Sequence, residues 1–409
     1  MKYRDFVDLT YRPSEDDVVC DFSVETYDEE TTKMAGGVAA ESSIGTWTEL
    51  ATMKAYMKKL QAVVFDISGN SVRIAYPIEL FEPSNMPNVL SSVAGNVFGL
   101  KDLKNLRLND VQMPEELITS FKGPKYGIAG IRKLVNIYHR PLIGTIIKPK
   151  LGLNPKDHAE VAFNAWVGGC DIVKDDENLS SQRFNPFNDR VVKTLDHRDK
   201  AEEQTGEKKI YIPNVTSETN EMVKRTQFVL DQGGEYVMID ILTCGFSALQ
   251  TLRDQDLDIV LHAHRAGHAA FTKNPKHGIS MRVIAKLCRI VGVDQLHVGA
   301  AVGKMSETKK EVLMSCEALK GKKSGLKRVM PVASGGLHPA LVPLLIDIFG
   351  IDFIIQAGGG IHGHKHGTVA GAKAMRQAVD ATVEHTKLEK YAATHNELQI
   401  ALETWKSTS

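Results

Sequence analysis

Residues 168–177 read Gly-Gly-Cys-Asp-Ile-Val-Lys-Asp-Asp-Glu, a short apolar run that ends in a lysine and three acids. Such charges are rarely tolerated together at a buried point unless they pair or hold a cation. Asp176 and Glu177 offer the hard oxygen ligands that Mg2+ prefers. An ammonium at Lys174 repels a metal. It becomes a ligand only if its nitrogen is neutralised or converted into an anion, as carbon dioxide does to a neutral amine by forming a carbamate, which presents two further oxygens. The competing interpretation of the segment alone is a surface ion-pair cluster after a strand.

Other chemically capable residues recur at the ends of similar runs. They are Lys148 and Lys150, then Asn214 and Thr216, then His262, His264, Arg265 and His268. Further on come His297 and Lys304, Ser334-Gly335-Gly336, and Gln356-Ala357-Gly358-Gly359-Gly360. Taken singly, each has a plain alternative: solvated lysines, a polar loop over residues 362–366, or glycine turns. A zinc cluster of His262, His264 and His268 is a weak motif, because the first two share a strand face while the third lies past its end. The glycine stretches suit phosphate binding, since glycine lets backbone N–H groups approach an anion closely. Two such loops with Arg265, His297 and Lys304 suggest a substrate carrying two phosphates.

The elements that must position these groups form a regular series. Apolar, β-branched runs at residues 142–149, 170–177, 209–216, 236–243, 258–265, 295–302, 328–335 and 353–360 alternate with stretches of helical composition. The helical stretches include 157–167, 219–232, 281–291, 306–320 and 339–349. Eight such units indicate parallel strands with crossover helices, and an α/β fold. A (β/α)8 TIM barrel closes all eight without edges and gathers their C-terminal ends at one mouth, where such folds place catalysis. An open doubly wound sheet is the runner-up. Residues 1–125 are expected to form a smaller N-terminal α+β domain, and 126–409 the barrel with a helical tail over 370–385 and 396–405. In the first domain, residues 17–25, 62–67 and 72–76 read as strands, the last two as a hairpin across a Gly-Asn turn, and 47–60 has helical spacing.

Composition sets outer bounds. The 409 residues carry equal numbers of basic and acidic side chains, 50 of each, which leaves no basic footprint for nucleic acid or a membrane surface. No apolar stretch reaches the length of a membrane span, and the first residues lack a signal-peptide core, so a cytoplasmic protein is expected. The five cysteines form no C-x-x-C pair and read as reduced, mostly buried thiols.

These motifs, in this order, resemble the large subunit of ribulose-1,5-bisphosphate carboxylase/oxygenase (Rubisco). The densest markers are residues 144–150, 168–177, 264–268, 297–304, 334–336 and 356–360. Residues 41–47 (Glu-Ser-Ser-Ile-Gly-Thr-Trp) and 95–99 (Gly-Asn-Val-Phe-Gly) add to them. The resemblance covers most of the chain and implies a lyase that carboxylates and oxygenates ribulose 1,5-bisphosphate, giving 3-phosphoglycerate. It implies that activating CO2 carbamylates Lys174, which holds Mg2+ with Asp176 and Glu177, takes the C3 proton and yields a metal-stabilised enediolate.

The same resemblance gives Lys148 an acid/base role near C2, tuned by Lys150, because like charges lower a lysine's pKa. His264 would assist hydration, and Lys304 would close over the added CO2. Arg265, His297 and Ser334 would grip the substrate near one phosphate; Gly336, Gly358 and Gly359, with Thr46 and Trp47, would cradle the other, Gly335 lying between the two sets in sequence. Positions matching Glu41, Thr46, Trp47 and Asn96 reach a partner subunit's site, so a homodimer is the minimum assembly implied. Ile146 stands where many members have threonine, and Ser306 replaces a commonly acidic position. The short tail suggests a compact archaeal-like or bacterial form. The rival within the family is a Rubisco-like enolase or isomerase of a phosphorylated sugar derivative; outside it, a non-catalytic barrel that binds sugar phosphates.

Overall fold

The computed structural model describes residues 2–302, 307–322 and 325–405. In chain order its strands are β1 (Asp17–Thr26), β2 (Val63–Ser68), β3 (Ser71–Pro77), β4 (Leu103–Gln112), β5 (Leu142–Ile146), β6 (Ile172–Lys174) and β7 (Ile210–Ile212). There follow β8 (Tyr236–Asp240), β9 (Val260–His264), β10 (Gly278–Ile279), β11 (Gln295–His297), β12 (Met330–Ser334) and β13 (Ile354–Gln356). The chain divides into two compact units. One holds Met1–Gly123, Gly267–Val291 and Lys323–Leu326; the other holds the remainder.

In the first unit the sheet order is β10-β4-β1-β3-β2. β1 lies at its centre, and Val18, Cys20, Phe22 and Val24, at alternate positions, are fully buried on one face of the pleat. β2 and β3 pair antiparallel from Val63↔Ala75 to Ser68↔Ser71, so the expected hairpin is present. Gly69 takes φ +58° at its turn, a conformation glycine adopts without the steric cost of a Cβ. The helix expected over 47–60 is not formed. Only Ala55–Leu60 coils, as a 3-10 helix, and none of its residues is buried. Without a face to bury, helical spacing alone does not repay the ordering of the chain. The strand β4 and the helix Thr31–Glu41, with seven buried residues, complete this unit.

The second unit contains the eight-stranded parallel sheet β7-β6-β5-β13-β12-β11-β9-β8. A parallel bridge between Asn214 and Met238 joins the two ends of that order and closes the barrel. Each of the eight apolar runs contains one strand, and the open sheet is excluded. The first residues of the strands, among them Leu142, Ile172, Ile210, Tyr236, Val260, Met330 and Ile354, pack with Ile128, Ile131 and Val135 of the helix Gly127–Val135. That helix plugs the N-terminal end. Full burial of each such side chain is worth about 1.5–3 kcal/mol. The apolar weight therefore sits at one end of the barrel, which leaves the strands' C-terminal ends for polar groups.

Helix boundaries follow local chemistry. Asn154 accepts from the N–H groups of Lys156 and Asp157 at 2.9 and 3.0 Å and starts Pro155–Val167. Thr308 and Glu311 form a reciprocal capping box that starts Lys309–Lys320. The tail forms Gly367–Val383 and Asn396–Trp405, as its composition suggested.

Candidate active site

Lys174 ends β6 and is wholly buried. Its Nζ donates to the Asp175 carbonyl at 2.8 Å and lies 4.0 Å from Glu177 Oε2. Burial lowers its pKa and outweighs the opposing pull of Glu177, Asp176, Asp240 and Asp175. The neutral amine, the form that reacts with CO2, is thereby favoured. Asp176 is buried and accepts from Lys148 Nζ at 2.8 Å. Lys150 Nζ instead donates to Asn178 Oδ1 at 3.1 Å, so the two lysines have separate partners.

The backbone carrying this trio is clamped from behind by Asp175, which points away from the mouth. Asp175 accepts from Tyr211 Oη at 2.7 Å, Arg190 Nε at 3.0 Å and the Asn214 N–H at 3.0 Å. Burial alone would raise its pKa, but Arg190 and His158 hold the carboxyl well below the usual range. The first of the three acids is thus the anchor, and its neighbour Asp176, with Glu177, faces the mouth.

His264 ends β9. Its Nδ1 lies 2.7 Å from Asp240 Oδ1 at the end of β8, and its Nε2 lies 3.7 Å from Glu177 Oε2. Arg265 Nη2 donates to Glu307 Oε1 at 2.6 Å, while its buried Nη1 has no hydrogen-bond partner among the described residues. His297 Nδ1 lies 2.9 Å from Ser334 Oγ across β11 and β12. Gly335 and Gly336 take φ +115° and +73°, values that exclude most side chains. At Gly360 a Cβ would lie 2.0 Å from the Leu337 carbonyl oxygen, so the glycine is required by close approach. Gly358 packs beside Lys148, a Cβ there being 3.2 Å from its Cε.

The structure therefore brings Lys148, Lys174, Asp176, Glu177 and His264 together, with His297, Ser334 and Arg265 on adjoining strands. Glu41, Thr46, Trp47 and Asn96 belong to the other compact unit. There Glu41 ends its helix and accepts from Tyr3 Oη at 3.0 Å, and Asn96 begins the 3-10 helix Asn96–Gly99. Thr46 and Trp47 lie in the loop after Glu41, with Trp47 81% exposed. Lys304 and Ser306 lie outside the described residues.

Three imidazoles raised as a zinc set are engaged separately. His262 bonds Gln295 and His297, His264 bonds Asp240, and His268 bonds Thr272. Among the described residues no three His, Cys, Asp or Glu side chains group to hold a metal. Two carboxylates beside a buried amine fit the Mg2+-carbamate arrangement, in which a carbamate on Lys174 would supply the further oxygen ligand. Sequence reading passed over Asp240, which lies inside the fourth run and ends β8. It also passed over Gln295, His158, Arg190 and Tyr211. Of these, only Gln295 had a signal, a polar residue inside an apolar run.

The family model for the ribulose bisphosphate carboxylase large chain, N-terminal domain, matches residues 5–117, and that for its catalytic domain matches residues 127–405. A ribulose bisphosphate carboxylase of Methanosarcina mazei is 51% identical over 98% of this chain and 99% of the relative. One from Methanocaldococcus jannaschii is 48% identical over 98% and 100%. The octameric Rubisco of Pyrococcus horikoshii, solved with sulfate, superposes with a TM-score of 0.96 at 46% identity, covering 100% of this chain and 98% of that one. A dimeric archaeal Rubisco from Hyperthermus butylicus gives 0.92 at 43%, covering 98% and 99%.

Proposed function

Because the chain belongs to the ribulose bisphosphate carboxylase large-chain family, we propose that it carboxylates, and also oxygenates, ribulose 1,5-bisphosphate, carboxylation yielding 3-phosphoglycerate. The observation that carries this reading is the coincidence of near-full-length identity to named carboxylases with a buried amine and two carboxylates at one barrel mouth. The enolase alternative has no such support among these relatives, and a purely binding barrel leaves the buried Lys174 without a purpose.

Lys174 as its carbamate, Asp176 and Glu177 would hold Mg2+, which when bound supplies Lewis-acid stabilisation of negative charge on the substrate. The chain's own groups do the rest. Lys148, held by Asp176 at 2.8 Å, is placed to deliver a proton at C2. Asp240 fixes the ring of His264 through Nδ1 and leaves Nε2 to move a proton during hydration. Arg265, with the Nη1 that has no partner among the described residues, suits one phosphate end, and the His297–Ser334 pair suits the part of the substrate near it. Gly335, Gly336, Gly358 and Gly359 suit the other, through backbone N–H groups. Lys304 would stabilise the new carboxylate.

A homodimer or larger homo-oligomer completes the site, with Glu41, Thr46, Trp47 and Asn96 supplied by a second copy. The largely exposed indole of Trp47 is the sort of aromatic group that interfaces cover. The five free cysteines support a reducing compartment, the cytoplasm. Among the described residues no helix is long and apolar enough to cross a membrane. Incubation with labelled bicarbonate, Mg2+ and ribulose bisphosphate should place label in 3-phosphoglycerate. Turnover of a methylthio-sugar phosphate with no labelled product would defeat the reading.

A further inference from the structure

Four side chains on three neighbouring strands form a continuous hydrogen-bonded row. Gln295 Oε1 lies 2.7 Å from His262 Nδ1, His262 Nε2 lies 2.9 Å from His297 Nε2, and His297 Nδ1 lies 2.9 Å from Ser334 Oγ. Gln295 pairs with His262 in the β11–β9 ladder, which sets the first link. Gln295, His262 and His297 are buried, and Ser334 is partly exposed at the end of β12.

The order of protons along this row follows from donor and acceptor rules. An amide oxygen only accepts, so His262 carries its hydrogen on Nδ1. A neutral ring so protonated has a bare Nε2, which requires a hydrogen on His297 Nε2. His297 then has a bare Nδ1, and Ser334 must donate into it. Both rings are neutral, since burial, helped by nearby cations, holds His262 down to about 3 and His297 well below its usual value. The Gln295 Nε2 group has no partner, so the amide's hold on the row is through its oxygen.

We propose that Gln295 and His262 are positioning residues that make Ser334 a hydrogen-bond acceptor toward the substrate. With its own proton committed to His297, the Ser334 oxygen takes a hydrogen bond from a sugar hydroxyl and selects against a deoxy or carbonyl carbon at that place. This rests on the reading that Ser334 faces a sugar bisphosphate. Neither Gln295 nor His262 needs to touch that ligand.

Solid-state 15N NMR of the full-length protein labelled in histidine tests the order directly. The expected result is hydrogen on Nδ1 of His262 and on Nε2 of His297; the opposite pair of tautomers, or an imidazolium at neutral pH, overturns it. In Gln295→Leu the amide oxygen is lost and the His297 tautomer becomes mixed. The KM for ribulose bisphosphate then rises about three- to ten-fold, the effect of one misdirected neutral hydrogen bond, with kcat within about two-fold. An unchanged KM, or equal losses in both constants, would overturn the positioning role. If Gln295→Leu does not fold, the tautomers of the parent protein still decide the proposal. A parent that never turns over the bisphosphate would sink the functional reading instead, a result separable from the ring signals.

Discussion

Lys148 Nζ and Asp176 Oδ2 are 2.8 Å apart, so a carboxylate proposed for Mg2+ is already held by a cation just past the end of the neighbouring strand β5. Metal and ammonium compete for the same oxygen. Lys148→Met should therefore bind Mg2+ about two- to five-fold more tightly in bicarbonate, measured by calorimetry, the loss of one charge-assisted contact favouring the ion. Carboxylation should drop by about 100-fold or more, because the proton donor is gone. Weaker Mg2+ binding in the variant would show that Lys148 supports the metal rather than opposes it.

Lys174→Ala should abolish turnover and Mg2+ affinity together while the fold survives. A 13C carbamate signal, present in the parent protein under labelled CO2, should vanish. Retained turnover without this amine would refute its place in the site.

Asp240→Asn keeps the shape of the aspartate but not the charge that fixes His264 through Nδ1. A fall in kcat of about ten- to a thousand-fold is expected, the cost of a misoriented or wrongly protonated imidazole. The CO2-dependent activation of Lys174 should survive, since loss of the Asp240 charge removes one of the pulls that favour the ammonium. A variant with full kcat would leave the Asp240–His264 pair as packing only.

Lys304→Ala should still exchange the C3 proton of the bisphosphate with solvent yet form no carboxylated product. Equal loss of the two partial reactions would place Lys304 earlier in the sequence of events. This expectation rests on the family pattern, since Lys304 is outside the described residues.

Arg140 and Asp171 form a buried two-pronged pair at 2.7 and 2.8 Å, remote from the mouth, with Arg376 at 3.3 Å. Burial would raise the Asp171 pKa, but Arg140 and Arg376 hold it below the ordinary carboxylate value. The unfolded chain therefore binds this proton more tightly than the folded one. The pair's stabilisation is complete above the unfolded value, about pH 4, and is lost as pH falls toward the lower folded value. Arg140→Met strands a buried charge and should cost about 3–5 kcal/mol at pH 7. Urea unfolding should show that cost shrinking at pH 4, where the stranded carboxyl of the variant takes up a proton. A cost independent of pH would mean that packing, not charge, is what the arginine supplies.

The sequence by itself determined the barrel and most of the mouth. Eight buried parallel strands must read as eight apolar runs, and polar residues can follow each run only where the strands leave the core. Long motifs over residues 144–150 and 168–177 carried the family for the same reason: several unusual residues at fixed spacing rarely coincide. What the tertiary structure decided was the direction of each side chain and the identity of its partner. Asp175 and Asp176 are adjacent and chemically alike, yet one is the anchor to Arg190 and Tyr211 and the other faces the mouth. Only the alternation of a strand end between opposite pockets makes that choice. Asp240 and Gln295 stayed hidden because their partners, His264 and His262, come from other strands, and a pairing across strands leaves no spacing to read. The helix expected over 47–60 failed for the converse reason, since periodicity is visible locally while the surface that must bury it is not.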